Sequence, residues 1–404
     1  MIGSTLFSSG VMLSYSQSLN FTSATILILL ALPELMGCLL LLPSAFLTRR
    51  FNIKTIGILG ILLGIFGYVM LIGAAYNKFS SLLLAFAGAS LFGIGAAMFN
   101  SGWNALIVPL IDRNSRGRFL GQLRFWWQLA SIAFSFIALS MLKVSSDTLM
   151  VYTIILSLVV VLQLVRLYLY KKIPDESVKE DASAAIGQEV ISLIKHPIFM
   201  SYCCYLFFLT LFTAACPWII NLSQRQFLGF SESQIIFVNT LLFFGNLLGF
   251  YLGGVITDKM GTKPVFILAH FGYGIILLLF VGRDFILVPH ILSHSILMFA
   301  FGVISAASSI AITAELYDVM PINKVLIATS FFTVVVSLSK FLGAFVSSQS
   351  LKLKLLTESW VIGPFAMNNY DTMLICDAFM VVMLVMTLGL IPSVSKQIHT
   401  GSDQ

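Results

Sequence analysis

The chain has 404 residues, 58% of them apolar and only 10% charged, and its mean hydropathy is +0.98. A water-soluble domain carries about 25% charged residues, so this balance excludes an ordinary soluble enzyme or binding module and indicates a chain that crosses a bilayer many times. The pI near 9.0 and net charge of +6 would suit nucleic acid, but the placement of the basic residues argues against it.

Apolar runs long enough to span a bilayer, about 20 residues each, predict helices over 2–18, 23–47, 55–76, 80–108, 119–142, 148–170, 198–222, 233–257, 264–282, 286–313, 325–349 and 371–392. That makes twelve. The first is short, and Met1 leads into it without a basic leader, so no cleavable signal peptide is expected. With the N-terminus inside, sixteen of the 23 Lys and Arg fall in cytoplasmic segments and six outside, with Lys340 left within a helix. Cytoplasmic loops carry the excess of basic residues, which explains the positive charge and places both termini inside. The longest polar interruption, Lys171 to His196, lies almost midway. It mixes both signs, reads as a solvated cytoplasmic linker, and has room for a short surface helix near Gln188–Lys195.

The sharpest motif is the turn Gly254-Val-Ile-Thr-Asp258-Lys259-Met-Gly261-Thr-Lys263-Pro264-Val265. Gly254 and Gly261 are expected to permit close helix contact and a sharp turn. Asp258 puts a negative charge where a helix N-terminus accepts it, and Lys259 and Lys263 mark the cytoplasmic side. The turn resembles the loop between the second and third helices of each half of a major facilitator superfamily transporter, G-x-L-A-D-R-x-G-R-K-x-x-L. Lys259 stands for the Arg, Ile256 for the Leu, and Thr262 replaces a basic residue. A weaker copy, Leu47-Thr48-Arg49-Arg50-Phe51-Asn52-Ile53-Lys54, has Arg49 for the Asp and Asn52 for the Gly. The stretch from Trp103-Asn104 through Pro109 to Arg116-Gly117-Arg118 resembles the fourth-to-fifth helix connection of a bacterial branch of that superfamily. Its repeat partner is Glu315-Leu-Tyr-Asp318-Val-Met-Pro321. Pro109 and Pro321 each end a helix.

The resemblance implies an all-α membrane protein of twelve transmembrane helices in two six-helix bundles, 1–170 and 197–392. The linker 171–196 joins them, and 393–404 is a cytoplasmic tail. It implies multi-pass residence in the plasma membrane, the inner membrane of a bacterium, as a monomer. It also implies that Asp258 meets the fifth helix near Arg118 and stabilises an outward-open state, and that the first, fourth, seventh and tenth helices line a central cavity.

Ionisable groups at depth in a bilayer are costly and mark function. Glu34, after Pro33 in the second span, and Lys340, in the eleventh, lie at similar depth. The resemblance makes those helices neighbours, so the two charges are expected to pair as a proton-coupled gate; the alternatives are a static buried pair or a lysine that snorkels outward. Lys340 shares a stripe with Thr333, Ser337, Ala344 and Ser347. Arg124 and Arg166 lie near helix ends and are expected to snorkel to the surface. Polar stripes on the cavity helices give Ser9 and Ser16, then Gly93, Ala97, Asn100 and Asn104, then Thr210, Thr213, Pro217 and Asn221, then Gly302, Ser305, Ser309 and Thr313. Ser9 and Ser16 stand seven residues, two turns, apart and the other sets repeat at three or four, so each set shares a helix face. Small and hydroxylated residues also mediate helix packing in lipid, so cavity and packing readings both stand. Trp126, Trp127 and Trp218 are candidate aromatic walls.

No phosphate-binding G-x-x-x-x-G-K-[ST] loop occurs, and no catalytic residues, metal ligands or cofactor are expected. The five cysteines all fall in apolar runs and read as packing residues. The expected function is alternating-access secondary transport of a small organic solute, neutral or singly charged. A gradient drives it, and the proton is the candidate coupling ion. The partners are that solute and the lipid bilayer, not nucleic acid. The alternative is a non-transporting membrane protein on the same scaffold, an assembly factor or sensor.

Overall fold

A computed structural model describes residues 2–77, 79–107, 116–144, 147–174, 186–285, 287–321, 325–363 and 365–386. Fifteen α-helices carry the described chain. They are α1 (Ile2–Ser8), α2 (Val11–Ser18), α3 (Ser23–Arg50), α4 (Ile53–Tyr76), α5 (Ser81–Ile107), α6 (Arg116–Val144), α7 (Thr148–Lys172) and α8 (Ile186–Ile194), then α9 (Pro197–Thr213), α10 (Cys216–Gln226), α11 (Glu232–Met260), α12 (Thr262–Val281), α13 (His290–Val319), α14 (Val325–Lys352) and α15 (Asn369–Met383). Among the described residues, eleven segments are long and apolar enough to cross a membrane. The first predicted span is two short helices, because Gly10 turns left-handed at φ 80° between α1 and α2. The seventh span is likewise broken, α9 ending at Thr213 and α10 starting at Cys216.

The polar residues between apolar runs start the helices. The Asn52 Oδ1 accepts from the backbone N–H of Lys54 and Thr55, and the Asp147 Oδ1 accepts from Met150. Ser231 and Gln234 close a reciprocal capping box, as do Asn368 and Asp371. Each satisfies backbone donors that a helix start leaves unpaired. The linker contributes the short helix α8, which begins at Ile186, ahead of the predicted start at Gln188. One feature was not anticipated: strands β1 (Ser359–Ile362) and β2 (Phe365–Asn368) pair antiparallel just before α15.

The chain divides into two compact units. The first holds Met1–Ala130, Met141–Leu193 and Asn323–Phe341, and the second holds Ser131–Ser140, Ile194–Ile322 and Leu342–Gln404. Within the first, α4 and α5 touch backbone to backbone, so that a Cβ on Gly60 would lie 2.5 Å from the Gly95 carbonyl oxygen. Within the second, α11 and α13 do the same, and a Cβ on Gly253 would lie 2.5 Å from the Ala307 Cα. Small residues permit this close packing where lipid supplies no hydrophobic drive between helices. The close-contact role expected of Gly254 therefore belongs to its neighbour. A Cβ on Gly254 would meet nothing within 4 Å among the described residues. Gly261 does make the sharp turn, with φ 80° and ψ −176° between α11 and α12.

Candidate functional site

In the first unit α14 lies against α3. The Lys340 Nζ donates to the Glu34 Oε1 at 3.1 Å, and the Ser337 hydroxyl donates to the Glu34 Oε2 at 2.9 Å. Lys340 and Ser337 are three residues apart and share one helix face, so both reach one carboxylate. Gly37, one turn after Glu34, leaves the room: a Cβ there would crowd the Ser337 Oγ at 3.2 Å. The pair is partly open, with the Glu34 and Lys340 side chains 28% and 37% exposed.

A second constellation in this unit centres on Arg166. Its expected place at the surface is corrected. The Arg166 guanidinium lies over the Phe99 ring, 3.9 Å from the centroid, and its Nη1 donates to the Gln163 Oε1 at 3.3 Å. Phe99 stacks in turn on Trp103. These groups open onto a cleft of about 480 Å³ of empty space, with Ser4, Phe92, Asn100 and the glycine edges of α4 and α5 around it. Asn100 was expected at a cavity and lines this one.

The other expected cavity residues fall differently. Ser16 is fully buried and its hydroxyl donates to the Met12 carbonyl. Asn221 is also fully buried and exchanges amide hydrogen bonds with Asn239. The Thr213 and Ser309 hydroxyls donate to carbonyls of their own helices, Leu209 and Ala306, and Ser305 is half-buried. Thr210 is half-buried. Gly93 and Ala97 are buried, Gly93 against Pro33 of α3. Hydroxyls that bond their own backbone fit helix packing as well as a cavity. The side chains of Asn104 and Arg118 lie outside the described residues, and with Arg118 lies the expected contact of Asp258. Asp258 and Lys259 are exposed at the end of α11, and Lys263 is half-buried. Thr262, which replaces a basic residue of the motif, donates to the buried Glu315 at 2.8 Å. The first-half lysine is engaged elsewhere, for the Lys54 Nζ donates to the Ile173 carbonyl beyond the end of α7.

The second unit holds polar groups that the sequence did not single out. Arg283, between the predicted spans 264–282 and 286–313, is buried and makes two hydrogen bonds to Asp371. His270 Nδ1 lies 2.7 Å from the Val381 carbonyl, and Nε2 lies 2.8 Å from the Tyr205 hydroxyl. A carbonyl only accepts, so Nδ1 carries the proton. The imidazole thereby joins α9, α12 and α15. Asp377 stands in α15 within 3.5 Å of the Cys216 Sγ, where α10 begins, and has no cationic partner among the described residues. A carboxylate within an apolar run was the signal for Asp377. The predicted span began at 371, which put it near a helix end. Gln163 had only its three-residue spacing from Arg166 to mark it, and spacing does not say that a pair faces inward.

The sequence pattern of the Major Facilitator Superfamily matches residues 1–223 and 198–367. The chain belongs to that superfamily. No curated protein sequence matches it. Among solved structures it resembles the nucleoside transporter NupG, at 14% identity and a TM-score of 0.66, over 96% of each chain. It also resembles a D-xylose–proton symporter, at 15% identity and a TM-score of 0.71, over 97% of this chain and 96% of the other. At such identities the likeness establishes the fold.

Proposed function

We propose that this member of the Major Facilitator Superfamily is a secondary transporter moving a small organic solute by alternating access. The observation that carries the reading is the Glu34–Lys340 ion pair, seated with Ser337 in apolar spanning helices. Membrane-embedded ionisable residues are costly and line solute and proton pathways. The superfamily and the two similar folds, themselves a nucleoside transporter and a sugar–proton symporter, support transport. The rocking bodies in this reading are the bundles 1–170 and 197–392, joined through the cytoplasmic linker 171–196 and followed by the tail 393–404. Both termini are then cytoplasmic, in a bacterial inner membrane. Glu34 serves as gate and proton carrier: its protonation releases Lys340. The protein acts as a monomer, without cofactor or chemical step.

The second reading, a non-transporting sensor or assembly factor on the same fold, draws on one observation. The acidic anchor of the repeated turn is replaced by Arg49 in the first half. Purified protein in proteoliposomes separates the two. Under an imposed pH gradient, a panel of labelled sugars, nucleosides and small organic acids is offered for uptake. Uptake of one solute that Glu34→Gln abolishes supports proton-coupled transport. Uptake that Glu34→Gln leaves intact removes the coupling role, and no uptake of any solute favours the second reading.

A further inference from the structure

We propose that the cleft at Arg166 is a binding site for the carboxylate of a small organic monoanion. As a binding site it stands alone; as a substrate subsite it rests on the transport reading above.

Arg166 lies within the span Thr148–Lys172, where an arginine without a counter-ion is costly. No carboxylate pairs with it among the described residues. Its one hydrogen bond goes to the neutral amide oxygen of Gln163, and its guanidinium face rests on the Phe99 ring. A guanidinium has five N–H donors in a planar fork, so most of them remain for a ligand. Asn100 opens on the same cleft and has no hydrogen-bond partner among the described residues. Two donors from two helices, α5 and α7, are thus left over at one opening.

The walls say which ligand fits. No Asp or Glu lines the cleft among the described residues, so an ammonium group or a zwitterion finds no acidic partner. A planar carboxylate matches the guanidinium fork in two parallel hydrogen bonds, and Asn100 adds a donor. Phe92 and Phe99 offer apolar surface to a short organic body.

The test uses the intact purified protein in phosphatidylcholine nanodiscs. Acetate, butyrate and benzoate are titrated against their neutral amides, with thermal unfolding and tryptophan fluorescence as readouts. Trp103, stacked on Phe99 with ring centroids 5.2 Å apart, becomes a local probe when the other four tryptophans are replaced by Phe in a parallel variant. At least one carboxylate is expected to raise the unfolding midpoint and change the fluorescence, while its amide does neither. Arg166→Gln should weaken that binding at least tenfold, and Arg166→Lys, which keeps charge but loses the fork, by a lesser factor. If Arg166→Gln does not fold, the acid–amide comparison on the unaltered protein decides, with Asn100→Ala expected to weaken binding severalfold. The proposal is overturned if acid and amide behave alike, if Arg166→Gln binds as well as the parent, or if only added phosphatidylglycerol stabilises, which would make the cleft a lipid headgroup site. Carboxylate binding without uptake in proteoliposomes would leave the site standing and count against transport.

Discussion

Glu34 and Lys340 are 306 residues apart in sequence and 3.1 Å apart in space, held on one carboxylate together with Ser337. Each is otherwise a lone charge in an apolar span, costing about 2.5–3.5 kcal/mol on insertion scales. Glu34→Gln and Lys340→Met should each impair folding or transport, and the double substitution should recover part of the loss. A coupling of about 0.5–3 kcal/mol is expected from a double-mutant cycle, toward the low end because both side chains are partly open. Strictly additive effects would show that the contact carries no energy.

Arg283 and Asp371 form the more enclosed pair, with side chains 5% and 1% exposed. Asp371 also closes the capping box at the start of α15. Asp371→Ala leaves a buried guanidinium and an unpaired Asn368 backbone N–H at the start of α15, and should destabilise the second unit by about 3–5 kcal/mol. Arg283→Met paired with Asp371→Leu should cost less than Asp371→Ala alone. Thermal unfolding in detergent measures both, and equal or greater loss in the double variant would contradict the argument.

Two adjacent glycines give a sharp contrast. Gly253→Ala forces a methyl into Ala307 of α13 and should destabilise by about 1–3 kcal/mol. Gly254→Ala meets nothing within 4 Å among the described residues and removes the helix penalty of glycine, so it should be neutral or stabilising by up to about 1 kcal/mol. Unfolding midpoints in the opposite order would mean that α11 is rotated from the position described.

The orientation of the spans has its own measurement. The basic asymmetry places the central linker in the cytoplasm. Ser177→Cys, with the native cysteines replaced, should resist an impermeant maleimide in intact cells and react once the membrane is opened. Labelling in intact cells would invert the topology.

Composition and period alone placed every predicted span but the first, which Gly10 breaks in two, because a bilayer demands some 20 apolar residues and admits few charges. They also determined the helix starts, since Asn52, Asp147, Ser231 and Asn368 act on backbone groups two or three residues away. The turn around Gly261 was legible for the same local reason. Tertiary structure alone decided which polar face meets which neighbour. Helical spacing put Ser16 and Asn221 each on a polar stripe, but both side chains turned into the packed interior. The same spacing is silent on whether Arg166 reaches outward to the surface or inward over Phe99. It also cannot separate Gly253 from Gly254, because a rotation of about 100° per residue places one against α13 and the other in open space. Helical period fixes a face; only the neighbouring helix fixes what that face is for.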